Sequence, residues 1–139
     1  MGNRGRPRRA GRLSSAFGRA ACSTNRRENA ALTGLTHGEL CDRPDLRRTA
    51  TALVNEGKAV ADALGIRLDS DPDELISKAA RENHQHKPSM LQDALARRPT
   101  EIDALNGGIV RAGEQAGVPT PLHATIAALI AGLEAGWKD

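Results

Sequence analysis

The chain has 139 residues, room for one domain and too little for a nucleotide-binding half plus a substrate half. Its formal charge of +3 joins two unlike parts: residues 1 to 27 hold eight Arg and no acid, whereas residues 28 to 139 set the other 12 Lys and Arg against all 17 Asp and Glu, a charge of −5. One Phe, one Trp and no Tyr leave Ala, Leu, Ile and Val to build a core, and no apolar run reaches the roughly 20 residues that cross a bilayer.

Residues 1 to 27 mix Arg with Gly, Ser and Pro and carry too few large apolar side chains to offset the entropy of ordering, so a disordered basic tail is expected. An Arg-rich arm can neutralise phosphates, and an acid-free, Ser-containing N-terminus also fits an organellar presequence. A solvated tail without either role is the simplest reading, which disfavours nucleic acid as a partner. Cys22 and Cys41 form no CxxC pair, so neither a disulfide framework nor a thiolate zinc site is expected. Unpaired thiols fit a reducing compartment, the cytoplasm.

From Leu46 the apolar and small residues fall at 46, 50, 53, 54, 57, 60, 61 and 64, a spacing of three and four that predicts a long helix. Asp42 is its expected N-cap, Pro44 lies in its first turn and Gly65 is its stop. Asp71, Pro72 and Glu74 mark a second helix whose ends cap each other, with Leu75, Ile76, Ala79 and Ala80 inward. A third runs from Pro88 through Met90, Leu91, Ala94 and Leu95 to Arg98. Thr100 with Asp103 starts a fourth, which buries Ile102, Leu105, Ile109, Val110 and Ala112 before Gly117. Gly107 and Gly108 inside it cost roughly 1 kcal/mol each relative to Ala, so a close helix crossing is expected there. The last helix opens at Thr120 and Pro121 and buries Leu122, Ile126, Leu129, Ile130 and Leu133. No alternating run reads as a strand. The expected fold is all-α, a helical domain over 28–139 behind the tail of 1–27.

Residues 86 to 121 gather the polar groups that could carry chemistry. Each has a plain structural reading: Ser89 as a first-turn hydroxyl serving backbone donors, Glu101 as an acid favoured by the helix dipole, Asn106 as a helix-face amide, Asp93 as the i, i+4 partner of Arg97. His84 and His86, with Glu82 nearby, invite a metal reading. Two His at i, i+2 point apart on a helix and lack a third ligand, so no metal site is expected.

The runs SMLQD at 89–93, TEIDALNG at 100–107 and GVPTP at 117–121, with HGEL at 37–40 and the helix containing NEGKAVADALGI, resemble the C-terminal domain of ketopantoate reductases, the NADPH-dependent 2-dehydropantoate 2-reductases of pantothenate biosynthesis. The resemblance covers roughly residues 29 to 135. It implies a helical bundle like the C-terminal domain of 6-phosphogluconate dehydrogenase. It also implies a reaction in which NADPH, held on an N-terminal Rossmann domain, gives its hydride to the C2 carbonyl of ketopantoate in the interdomain cleft. In that family a Lys of the helical domain is the general acid and an Asn helps hold the substrate. The Ser of the SM motif contacts substrate and the Glu of TEID hydrogen-bonds its hydroxyl, which makes Ser89 and Glu101 the substrate-binding residues here.

The departures are as informative. Counted back from GEL, the substrate Asn falls near position 27, which is Arg27, with Asn25 and Asn29 out of phase; no Lys precedes Lys58; and His86 stands at the amide-bearing position before SM. Residues 1 to 27 hold no strand followed by GxGxxG, the turn that cradles a dinucleotide. The expectation is a truncated domain, inactive alone, with no catalytic residue and no NADPH site of its own. Its partners would be a 2-oxo acid and either a Rossmann-domain chain or a second copy. The alternative is a non-catalytic helical module for interaction or dimerisation.

Overall fold

The structure, a computed structural model, describes residues 27–138; the expectations for the basic tail and Cys22 lie outside the described residues. The described chain is helical with no strand: α1 (27–33), α2 (His37–Asp42), α3 (Pro44–Ala63), α4 (Pro72–Glu82), α5 (Ser89–Leu95), α6 (Ile102–Ala116) and α7 (Pro121–Ala135). The all-α expectation holds. Neither α1 nor α2 is among the helices expected from apolar spacing. The signal for α2 was present in Thr36-x-x-Glu39: Thr36 N donates to Glu39 Oε2 at 2.8 Å and Glu39 N to Thr36 Oγ1 at 3.4 Å, a reciprocal cap.

That short helix explains why Asp42 does not cap α3. Only Arg43 separates the two helices, so Asp42 is still helical and cannot take the extended conformation of a cap. Its carboxylate instead meets His84 Nε2 at 2.7 Å. Gly65, with φ +67°, ends the segment as expected. Asp71 does cap α4, accepting from Asp73 N at 3.1 Å, but its second bond is an ion pair with Lys58 Nζ at 2.7 Å rather than a reciprocal cap from Glu74. Helix α5 stops at Leu95, short of Arg98, because Arg97 takes a left-handed φ of +52°. Asp93 consequently pairs with Arg98 Nη2 at 3.2 Å and not with Arg97.

The close crossing expected at Gly107 and Gly108 is absent. A Cβ on Gly108 would meet nothing within 4 Å, and one on Gly107 would meet only side chains of its own helix, Asp103 and Arg111. The tight approach lies at Gly113, where a Cβ would come 2.7 Å from the Val118 carbonyl oxygen and 2.9 Å from Thr120 Cγ2. On α7 the buried stripe is His123, Ile126 and Ile130, whereas Leu129 is 53% exposed. The helix is apolar nearly all round, so hydrophobic spacing alone could not choose its inward face.

The main core joins Ala31 of α1, Leu53 of α3, Met90 of α5, Ile102 of α6, and Ile126 and Ile130 of α7. Ala30, Leu40 and Leu91 form a second cluster. Helix α1 is thus a buried wedge between both. Arg47 ties α3 to α4 by a two-pronged pair with Asp73, 3.0 Å on each prong, and a 2.8 Å bond to Ser77 Oγ. Thr100, ahead of α6, is tied to α7 by Glu134 Oε1, which accepts from its backbone N at 2.7 Å and its hydroxyl at 2.5 Å.

Candidate functional site

Three polar side chains stand at the surface at the start of α5, at the start of α6 and on α1: Ser89, Glu101 and Arg27. Ser89 is the exposed first residue of α5, behind buried Pro88. Helix α5 has no side-chain capping bond at its start. Glu101 stands at the N-cap position of α6 with its side chain 70% exposed, and its Oε2 lies 3.7 Å from Arg27 Nη1 on α1. Such a partly exposed pair contributes at most about 1 kcal/mol, so its value is positional. Met90 and Ile102, the residues after Ser89 and Glu101, enter the same cluster as Ala31, which holds both helix starts against α1. No bond joins Ser89 to Glu101 among the described residues.

The loop before Ser89 is stitched to α2 through its backbone. His37 N donates to the His86 carbonyl at 3.0 Å and Gly38 N to the His84 carbonyl at 2.8 Å. Gly38 permits this: a Cβ there would sit 2.1 Å from the His84 ring. His86 is exposed, and His84 is engaged with Asp42. Among the described residues no three His, Cys, Asp or Glu gather to hold a metal ion, and no helix is long and apolar enough to cross a membrane. Cys41 is half-buried.

Beneath the rim lies a buried polar row that sequence reasoning missed. Asn106, expected as a helix-face amide, is fully buried, and its Nδ2 lies 3.3 Å from His123 Nδ1. His123 Nε2 donates to the Leu53 carbonyl at 2.9 Å, and burial holds its pKa below the usual histidine range. Glu56 of α3 caps α7, its carboxylate accepting from Leu122 N at 2.8 Å and His123 N at 3.0 Å. Glu28 of α1 faces the Asn106 amide, and desolvation pushes its carboxyl up to about 8. The one signal for it in the sequence is the spacing of His123 three and seven residues before Ile126 and Ile130.

The rim offers a hydroxyl donor, a guanidinium and a carboxylate acceptor, a set suited to a small ligand bearing both a carboxylate and a hydroxyl or carbonyl oxygen. It does not fit a dinucleotide. The described residues contain no strand leading through a Gly-rich turn into a helix, so no backbone cradle for the pyrophosphate is present among them, and no step through NADPH is derived for them.

The described residues thus form an all-α domain. The chain belongs to the ketopantoate reductase family: the family's sequence model, "Ketopantoate reductase PanE/ApbA C terminal", matches residues 25–134. It is 32% identical over 114 residues to the 2-dehydropantoate 2-reductase of Archaeoglobus fulgidus, covering 78% of this chain and 38% of that one. To the enzyme of the same name from Mesorhizobium japonicum it is 36% identical over 100 residues, 72% of this chain and 30% of that one. The chain therefore spans about a third of the length of these curated relatives. Among solved structures, a PanE/ApbA family ketopantoate reductase from Ralstonia eutropha superposes with a TM-score of 0.80 at 27% identity, over 94% of this chain and 43% of that one. D-mandelate dehydrogenase in complex with NADH and anilino(oxo)acetate gives 0.78 at 28% identity, over 88% and 52%.

Proposed function

We propose that this chain is the substrate-binding helical domain of an NADPH-dependent 2-dehydropantoate 2-reductase, which converts ketopantoate to pantoate in the cytoplasm, and that residues 28–139 form this domain. The observation that carries the reading is the match of residues 25–134 to the family's C-terminal domain; the resemblance of SMLQD and TEID to that family supports Ser89 and Glu101 as the substrate-binding residues. Ser89 would donate its hydroxyl to the 2-oxo acid, and Glu101 would accept from the substrate hydroxyl. The Arg27 guanidinium, 3.7 Å from Glu101, would supply a cation for the substrate carboxylate. Hydride chemistry needs a cofactor platform, because the reactive atom belongs to the cofactor. The described residues are therefore proposed to act in hydride transfer only together with a Rossmann-type cofactor platform, with a second copy of the domain as a further candidate partner.

The test is titration of the 15N-labelled 139-residue chain with ketopantoate, followed by NMR. Shifts centred on Ser89, Glu101 and Arg27 are expected, and weaker binding in S89A and E101Q; shifts confined to another face would overturn the assignment. NADPH oxidation by the chain alone in the presence of ketopantoate would refute its proposed dependence on a partner.

A second reading, a non-catalytic interaction or dimerisation module, is favoured by the exposure of Leu129 on the outer face of α7. Sedimentation distinguishes it: a stable dimer that L129E dissolves, in a chain with no affinity for ketopantoate, would select this reading.

A further inference from the structure

Glu134 stands in the last turn of α7, where the helix macrodipole opposes a negative charge, so α7 itself gains nothing from an acid at that position. Its carboxylate reaches the start of α6. Oε1 accepts from Thr100 N at 2.7 Å and from the Thr100 hydroxyl at 2.5 Å, bonds strengthened by the charge on the acceptor. Both partners are half-buried, and each lies next to the main core. Ile102, two residues after Thr100, and Ile130, one turn before Glu134 on α7, belong to the same cluster.

These bonds orient the Thr100 hydroxyl. Its one hydrogen goes to Glu134, which leaves its lone pairs for a donor, and Ile102 N donates to it at 3.3 Å. Thr100 thus satisfies an N–H of the first turn of α6 from the residue before the N-cap position. Glu101, which holds that position, supplies its carbonyl as the acceptor for Leu105 N at 3.0 Å. Its side chain makes no capping bond and is 70% exposed. A polar side chain at an N-cap ordinarily turns back onto the N–H groups of its own helix. Relieved of that task by Thr100, the Glu101 carboxylate stands at the surface with Arg27 as its neighbour.

We propose that Glu134 is the positioning residue for Glu101, a role that rests on Glu101 being the acceptor for the substrate hydroxyl. By locking Thr100 into the capping task, Glu134 fixes the backbone on either side of Glu101 and leaves the Glu101 carboxylate available to the ligand. Without the Glu134 carboxylate, Thr100 loses both bonds, the link between α5 and α6 loses its tie to α7, and Glu101 drifts with it.

The test compares E134A, E134Q, T100V and E101A with the wild-type 139-residue chain, titrated with ketopantoate and followed by 15N NMR. E101A and E134A are each expected to weaken binding about tenfold, the lower end for a hydrogen bond to a charged group. The double variant E134A/E101A should bind no more weakly than E101A, because Glu134 acts through the side chain already removed. E134Q keeps an oxygen that can accept both Thr100 bonds and should restore most of the affinity. A loss that adds to that of E101A, or an E134Q as weak as E134A, overturns the role. A second measurement needs no ligand. The backbone order parameter of Glu101 should stay near about 0.85 in the wild type and E134Q and fall toward about 0.6 in E134A. T100V, which lacks the hydroxyl and leaves α7 untouched, should lower it as well. An order parameter unchanged in E134A and T100V overturns the proposal whether or not ketopantoate binds. Failure of the Glu101 assignment looks different: E101A would then bind ketopantoate as the wild type does, while the order parameter still falls in E134A.

Discussion

Removing the Glu56 carboxylate should destabilise the domain through a helix that lies 66 residues away in sequence. Glu56 supplies both acceptors at the start of α7, at 2.8 and 3.0 Å, while Thr120 at the N-cap position contributes no side-chain bond. Hydrogen bonds to a charged group are worth about 1.5–3 kcal/mol each. Glu56 is only half-buried, and in E56A water can reach the freed N–H groups, as it does when an ordinary cap is lost at a cost of about 0.5–2 kcal/mol. A net loss of about 2–3 kcal/mol is expected for E56A. E56Q, which keeps one acceptor oxygen but not the charge that complements the helix dipole, should lose about half of that. Urea unfolding reads this as a lower midpoint at unchanged slope. If E56A lies within about 0.5 kcal/mol of the wild type, the value of an unremarkable surface change, or if E56Q is as destabilised as E56A, the two-bond account fails.

Paired glycine substitutions on α6 should differ in sign. G113A drives a Cβ to 2.7 Å from the Val118 carbonyl oxygen, a backbone atom that cannot step aside, and should cost about 1–3 kcal/mol; G108A meets open space and should gain up to about 1 kcal/mol from helix propensity. Thermal melts of both variants check this, and equal signs would refute the reading of the close fit between Gly113 and the loop that follows α6. The Thr36 cap holds the Glu39 carboxyl below the usual carboxylate range. Its contribution is therefore complete above the ordinary glutamate value and disappears as pH falls through the depressed one, so wild type and E39Q should converge in stability toward acid pH; a constant difference between their pH–stability curves would contradict it.

Local physics in the sequence was enough for helices with one apolar stripe and firm punctuation. Helix α3 has both, and its spacing of three and four, its Pro44 and its Gly65 gave its bounds within a residue or two. It failed where a signal was ambiguous or came from elsewhere. Helix α7 is apolar on nearly every side, so Leu129 looked as inward as Ile130, and the choice was made by packing against α3 and α6. Asp42 was misread because α2 intruded on it. At the rim, Ser89 and Glu101 stood out only through the SM and TEID motifs, since either is an ordinary helix-start residue by spacing. Arg27, Glu28 and Glu56 act through contacts with α6 and α7, and no local pattern encodes a partner so distant in the chain.

The rim residues are each adjacent in sequence to a buried anchor. Ser89 lies between buried Pro88 and Met90, Glu101 precedes buried Ile102, and Arg27 precedes buried Glu28. The core therefore fixes where the rim groups stand, while the rim groups contribute little to the core. Exposed polar side chains of this kind change stability by only about 0.5 kcal/mol when replaced, whereas a truncation at Met90 or Ile102 costs about 2–5 kcal/mol and lets the helix start above it shift. A rim variant that loses ligand affinity at wild-type stability thus reports on contact with the ligand itself. A core variant that loses both reports on the scaffold.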